Sequence, residues 1–194
     1  MKTNIAVFLD RDNTINYDPG YISKPEDVRL LNGVPEGLLK LKKEINALLI
    51  VISNQSGVAR GYYTENDIRK VNSRINELLE NSGSVKIDDF FYCIYHQEFS
   101  SAHEAECRKP SPKMIFEAAK KYNISVNSSY LIGDSVSDVQ CGNNAGTKSI
   151  FLVYDERDSK MKEVNKLNLK VEFIAHDFLE ACEFIINDYK RKIN

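Results

Sequence analysis

Asp10 and Asp12 stand two residues apart where an apolar run, Ile5 to Leu9, meets polar sequence. Alternate residues of an extended chain point to the same side, so the two carboxylates are expected to crowd together. Like charges that close need a cation between them. Mg²⁺ is the expected cation, since it prefers oxygen ligands and keeps part of its water. Asp134 offers a further carboxylate, and a backbone carbonyl completes a plausible oxygen set. Ser53 and Lys109 belong with them as a hydroxyl and an ammonium that can hydrogen-bond and neutralise phosphoryl oxygens. Together these residues suit phosphoryl transfer. Asp10 can attack phosphorus to give an aspartyl-phosphate. Asp12 would protonate the departing sugar oxygen and then deprotonate the water that resolves the intermediate.

Each piece also has a plainer reading. A D-x-D after a strand can be a solvated turn, Ser53-Asn54 can be turn residues, and Lys109 can be a loop cation before Pro110. Ser135 and Asp138 fit a helix N-terminal capping pair. The combination favours chemistry, because each piece falls at the end of a strand-like run and the set is complete in one chain.

Those runs are Ile5–Leu9, Ala47–Ile52, Phe90–Tyr95, Tyr130–Ile132, Ile150–Val153 and Val171–Ala175. Several are continuous, not alternating, as in strands covered on both faces. Helical stripes lie between and after them. Ile68, Val71, Ile75, Leu78 and Leu79 form one, opened by Thr64 and Asp67 as a capping box. Ile115, Ala118, Ala119 and Tyr122 form another, with Ser111 as N-cap and Pro112 at the first helical position. Phe178, Cys182, Ile185 and Tyr189 form the last. This alternation predicts an α/β fold, a Rossmann-like three-layer sandwich with a mainly parallel sheet. In such sheets ligands bind beyond the carboxyl ends of the strands, which selects Asp10–Asn13, Ser53–Gly57, the residues after Tyr95, and Gly133–Asp138. The polar stretch from Gln97 to Pro110 reads as a functional loop.

The 194 residues fit one domain, 1–194, with a full core. Hydrophobic content of 42% and charged content of 28% are those of an ordinary globular chain. A net charge of −2 gives no footprint for nucleic acid or anionic membrane, and no apolar stretch is long enough to span a bilayer. The first apolar run is too short for an export signal, so the expected compartment is the cytoplasm. The four cysteines (Cys93, Cys107, Cys141 and Cys182) are then expected as reduced thiols or metal ligands. Cys141 and Cys182 fall in helical patterns and read as core thiols.

The sequence resembles the haloacid dehalogenase superfamily of phosphohydrolases: FLDRDNT, VISN, Lys109 and LIGDSVSD stand where its four motifs stand. A narrower and longer match comes from DRDNTIN, DPGYISKPEDVRLLNGV, NQSGVARGYYTE and CRKPSPKM, which resemble the histidinol-phosphate and heptose bisphosphate phosphatase family. That resemblance implies no large cap domain, with specificity set by short loops such as the one at about 93–109. It implies catalytic roles for Asp10, Asp12, Ser53 and Lys109. Asp10, the carbonyl of Asp12, and Asp134 would hold Mg²⁺. Asp18, Pro19, Gly20, Tyr21, Ser53, Asn54, Gln55, Ser56, Arg108 and Lys109 would contact substrate. The implied reaction removes the 7-phosphate of D-glycero-D-manno-heptose 1,7-bisphosphate on the way to a nucleotide-activated heptose. Histidinol phosphate is the alternative substrate. Arg108 suits a second phosphate, since its planar fork matches an anion's geometry; a pairing with Glu104 or Glu106 is the competing use. The implied partner is a small sugar bisphosphate, with no nucleic acid or membrane, handled by a monomer.

Members of this family often carry structural Zn²⁺ through C-x-H and C-x-C pairs. Here two of the four positions are Tyr95 and Ala105, which are not zinc ligands. Cys93, His96, His103 and Cys107 offer a shifted set. The default expectation is a loop without metal, with exposed His and partly buried Cys. Asn13 replaces a common Gly and tolerates the same turn conformations. Ser135 replaces a Lys found in some relatives. Two functions lie outside this reading. A polynucleotide 3′-phosphatase would want a basic, aromatic groove, for which the sequence gives no sign. A non-catalytic phosphosugar-binding module would be expected to have lost a chemical residue, whereas Asp10, Asp12, Lys109 and Asp134 are all present.

Overall fold

The computed structural model describes residues 3–155 and 159–193. Six strands form one sheet: β1 (Ala6–Leu9), β2 (Leu48–Asn54), β3 (Asp89–Cys93), β4 (Tyr130–Gly133), β5 (Lys148–Leu152) and β6 (Phe173–Ala175). All pairings are parallel, in the order β3-β2-β1-β4-β5-β6. The central strand β1 places Val7 beside Leu49 on one side and Tyr130 on the other. The expected parallel sheet is therefore wholly parallel among the described residues.

Alternation along β1 divides the core. Val7 and Leu9 face the layer built by α1 (Val34–Ile45), α2 (Glu65–Gly83) and α6 (Phe178–Ile193). Ala6 and Phe8 face α3 (Lys113–Tyr122) and the Cys141 side of α4 (Val136–Ala145). The short α5 (Lys160–Lys166) closes a smaller cluster around Phe151 and Val164. This is the three-layer sandwich expected. No helix among the described residues is long and apolar enough to cross a membrane.

Element ends shift by one or two residues from the sequence reading, and one helix was missed. β3 stops at Cys93, so Tyr95 lies in the loop beyond the sheet. α3 starts at Lys113 with Pro112 as its cap residue. The Ser111 hydroxyl still accepts the Lys113 amide at 3.4 Å, so its capping partner survives a one-residue shift of the helix start. α1 was not among the patterned segments; its Val34, Leu38 and Leu41 are fully buried. The Thr64–Asp67 and Ser135–Asp138 capping boxes form as read.

Candidate active site

The four selected segments converge at the carboxyl ends of β1, β2 and β4 and on the loop after β3. β1 ends at Leu9, and Asp10 continues its line with an amide that donates to the Ile132 carbonyl at 2.9 Å. The chain then turns: the carbonyl of Arg11 accepts the amides of Thr14, Ile15 and Asn16. Asn13 takes φ 57°, a left-handed value that Asn tolerates. The strand alternation assumed for Asp10 and Asp12 therefore does not reach Asp12.

The protein supplies a separate cation to each carboxylate. Lys109 Nζ donates to Asp10 Oδ1 at 2.6 Å and to the Ile52 carbonyl at 3.0 Å, and pairs with Asp138 Oδ1 at 2.6 Å. Asp12 lies in the fork of Arg11, with Nε to Oδ1 and Nη2 to Oδ2 both at 3.0 Å. Each carboxylate thus has a cation of the protein's own, in addition to the Mg²⁺ expected between them. Burial pushes the Asp10 carboxyl well up, and the charges of Asp138, Asp12 and Asp134 add to that against the pull of Lys109. Burial opposes the charge on Lys109, but Asp10 and Asp138 outweigh it and raise its pKa.

Asp10, Asp134 and Asp138 each present a carboxylate oxygen within 4.8 Å of the others. Three hard oxygen donors beside a carboxyl still held above its ordinary pKa fit a divalent cation such as Mg²⁺. Asp138, and not the Asp12 carboxylate, is the third member of this cluster. Asp138 serves twice. It caps α4 through Ser135, as one reading had it, and it holds Lys109 in the site. Gly133 makes the second use possible, since a Cβ there would lie 2.4 Å from the Asp138 carboxyl carbon. Burial also raises the Asp134 carboxyl, against Lys160, whose Nζ donates to the Asp134 carbonyl at 2.8 Å and to Oδ2 at 3.1 Å. Lys160 was not anticipated, because α5 is far from Asp134 in sequence.

A cleft of about 300 Å³ opens above these groups. Asp10, Asp12, Ser53 and Lys109 line it, as do Asp18, Gly20, Tyr21, Asn54 and Arg108. Of the residues expected to touch substrate, Pro19, Gln55 and Ser56 do not line it. Pro19 is exposed outside it. Gln55 and Ser56 are buried beneath it at 1% and 8% exposure. Ser135 and Ser137, from the selected segment Gly133–Asp138, also line it, and Tyr63 does so without having been foreseen. Some wall residues are tied to their own loops. Asp18 Oδ1 accepts the amides of Gly20 and Ile22, both at 3.0 Å. Asn54 accepts the Lys109 amide at 2.9 Å and donates to its carbonyl at 3.1 Å, pinning the Arg108-Lys109 segment to the end of β2.

The loop after β3 carries another correction. Cys93 and Cys107 form a disulfide, where reduced thiols or metal ligands were expected. Their Cα atoms, 5.5 Å apart, lie within bridging range, a juxtaposition that compartment arguments from cysteine number cannot see. The shifted zinc set does not converge here: both sulfurs are bonded to each other, and the largely exposed His103 turns to Glu106. Cys93 is fully buried, not partly so. Cys141 and Cys182 are free and buried, as read.

The HAD-hydrolase-like family matches residues 106–181. The D-glycero-beta-D-manno-heptose-1,7-bisphosphate 7-phosphatase of Helicobacter pylori (strain 26695) is 40% identical over 153 residues, covering 79% of this chain and 86% of that one. The chain belongs to the heptose bisphosphate phosphatase family. It is a phosphoric monoester hydrolase of the haloacid dehalogenase superfamily. The enzyme of the same name from Pasteurella multocida is 35% identical over 172 residues, covering 88% of this chain and 92% of the other. The crystal structure of D,D-heptose 1,7-bisphosphate phosphatase from B. bronchiseptica, complexed with magnesium and phosphate, superposes with a TM-score of 0.80. That match covers 95% of this chain and 99% of the other at 23% identity, and it speaks for the fold.

Proposed function

We propose that this family member removes the 7-phosphate from D-glycero-β-D-manno-heptose 1,7-bisphosphate through an aspartyl-phosphate on Asp10. The product is a heptose 1-phosphate for later nucleotide activation. The observation that carries the bisphosphate reading is Arg108. It lines the cleft beside Lys109, and its Nη1 is buried without a hydrogen-bond partner. Its competitors are engaged elsewhere: Glu104 accepts from Ser101, and Glu106 pairs with His103 and Lys113. Burial, and then the like charge of Arg60, hold the Arg108 guanidinium below its ordinary pKa. A second phosphate would satisfy the orphaned donor and offset both penalties. The names of the relatives add weight to the heptose substrate over histidinol phosphate.

In this reading Lys109 and Ser53 hold the transferring phosphoryl group while Asp10 attacks. Asp12 gives a proton to the sugar oxygen and later takes one from water. Asp10, Asp134 and the Asp12 carbonyl would hold Mg²⁺, which when bound offsets the negative charge of the phosphoryl oxygens. Asp18, Gly20, Tyr21 and Asn54 shape the wall that meets the sugar. The chain works as a single-domain monomer in the cytoplasm on this small substrate.

Arg108→Ala tests the reading. The expected loss of kcat/KM is about 100-fold on the 1,7-bisphosphate, some 2.7 kcal/mol, with about threefold or less on the 7-monophosphate. Equal losses on the two substrates would contradict it.

A further inference from the structure

Gln55 is almost fully buried, yet every atom of its amide is used. Its Nε2 donates to Asp12 Oδ2 at 2.8 Å and to Ser53 Oγ at 2.8 Å. Its Oε1 accepts the Tyr63 hydroxyl at 2.9 Å. Tyr63 reaches it by folding over Gly57, where a Cβ would lie 2.2 Å from the tyrosine ring. Burial pushes the Tyr63 hydroxyl up to about 12, so it stays a neutral donor.

The amide has two orientations; the acceptor-only Asp12 carboxylate selects one and Tyr63 braces it from the other end. A hydroxyl proton given to Oε1 leaves the two N–H donors facing Asp12 and Ser53. The flipped amide would set Oε1 against a carboxylate. Four donors then meet Asp12: Arg11 Nε and Nη2, Gln55 Nε2, and Asn16 Nδ2 at 3.2 Å. Together these donors fix the orientation of the Asp12 carboxylate at the cleft. Arg11 is itself fixed from behind, its Nη1 donating to the buried Asn72 of α2 at 3.3 Å. Ser53 Oγ, accepting from Gln55, keeps its own proton to donate into the cleft.

We infer that Tyr63 and Gln55 are positioning residues for the second half-reaction, holding Asp12 as the base that activates water. In that step the water oxygen bonds to phosphorus and its proton passes to Asp12. The P–O bond to Asp10 breaks, and its electron pair returns to the Asp10 carboxylate. The inference rests on the aspartyl-phosphate reading.

The test uses p-nitrophenyl phosphate, whose leaving group needs no acid, with Mg²⁺ and rapid acid quench. Phosphorylation and dephosphorylation of the enzyme are measured separately in wild type, Tyr63→Phe and Gln55→Leu. Dephosphorylation is expected to slow about tenfold in Tyr63→Phe, the scale of one lost hydrogen bond, and further in Gln55→Leu. In Tyr63→Phe phosphorylation should change by less than about twofold, whereas Gln55→Leu also frees Ser53 and is expected to slow both steps, dephosphorylation the more. The variants then show a larger burst of p-nitrophenolate, and phosphoenzyme accumulates. A purely structural or substrate-contact role would slow phosphorylation as much as dephosphorylation, or leave dephosphorylation at the wild-type rate; either result overturns the inference. Tyr63→Phe removes one oxygen from a partly exposed ring, so it keeps the test valid where Gln55→Leu loses fold. Absence of phosphoenzyme in wild type and in Asp12→Asn alike would instead bring down the aspartyl-phosphate reading, and the inference with it.

Discussion

A Cβ at Gly133 would lie 2.4 Å from the Asp138 carboxyl carbon, a contact that requires one of the two to move. Asp138 has little freedom, being held by Ser135 on one side and Lys109 on the other. Gly133→Ala is therefore expected to cost about 1–3 kcal/mol in stability and to displace Lys109 from Asp10. Chemical denaturation should show the first effect, and a loss of at least about tenfold in kcat/KM the second. An unchanged midpoint and rate would mean that Lys109 does not depend on Asp138. Asp10, Ser53 and Asp134 were legible as polar groups at strand ends, and Lys109 as a cation on the loop before α3. The residues that support them were not. Gln55 reads as a substrate contact until Tyr63 is seen to fold back over Gly57 and claim its carbonyl oxygen. Arg11, buried with its fork on Asp12, carries no such signal in the sequence.

The segment between β3 and α3 presents Arg108 and Lys109, and two attachments fix it. One is Asn54, which brackets the Lys109 backbone. The other is the Cys93–Cys107 bridge, closing 14 residues. A loop of that length corresponds to roughly 3 kcal/mol of unfolded-state entropy. The Cys93→Ser/Cys107→Ser double variant should lose about that much in urea denaturation. Thiol titration of the unreduced, denatured chain should find only the two free cysteines, Cys141 and Cys182. Four titrating thiols would contradict the bridge. Strand and helix patterns had foretold this segment only as a polar functional loop. Its geometry depends on Cys93 ending a strand beside a 3-10 turn at Glu104–Cys107, a tertiary meeting with no local signature. The sheet was easier to read, since the apolar strands come from continuous runs. α1 escaped because its stripe of Val34, Leu38, Leu41 and Ile45 lies among lysines in a short amphipathic segment.

At the scale of the molecule, chain order around β1 explains why the site is where it is. The chain moves outward from β1 to β2 and β3, then returns to β4 on the other side of β1. Asp10 follows β1 at that reversal, where the crevice of an open parallel sheet forms. The loop after β1, the end of β2 and the segment before α3 then enclose a cleft of about 300 Å³, a volume suited to a small ligand. This cleft is expected to select a heptose bisphosphate. The measurement that tests it most directly is phosphate release with Mg²⁺ from both anomers of D-glycero-D-manno-heptose 1,7-bisphosphate, beside histidinol phosphate and fructose 1,6-bisphosphate. The account predicts a kcat/KM for the β-anomer at least about 100-fold above the other phosphates, some 2.7 kcal/mol of transition-state discrimination, and none of that turnover in Asp10→Asn. Low and equal turnover across the panel, or full turnover by Asp10→Asn, would contradict it.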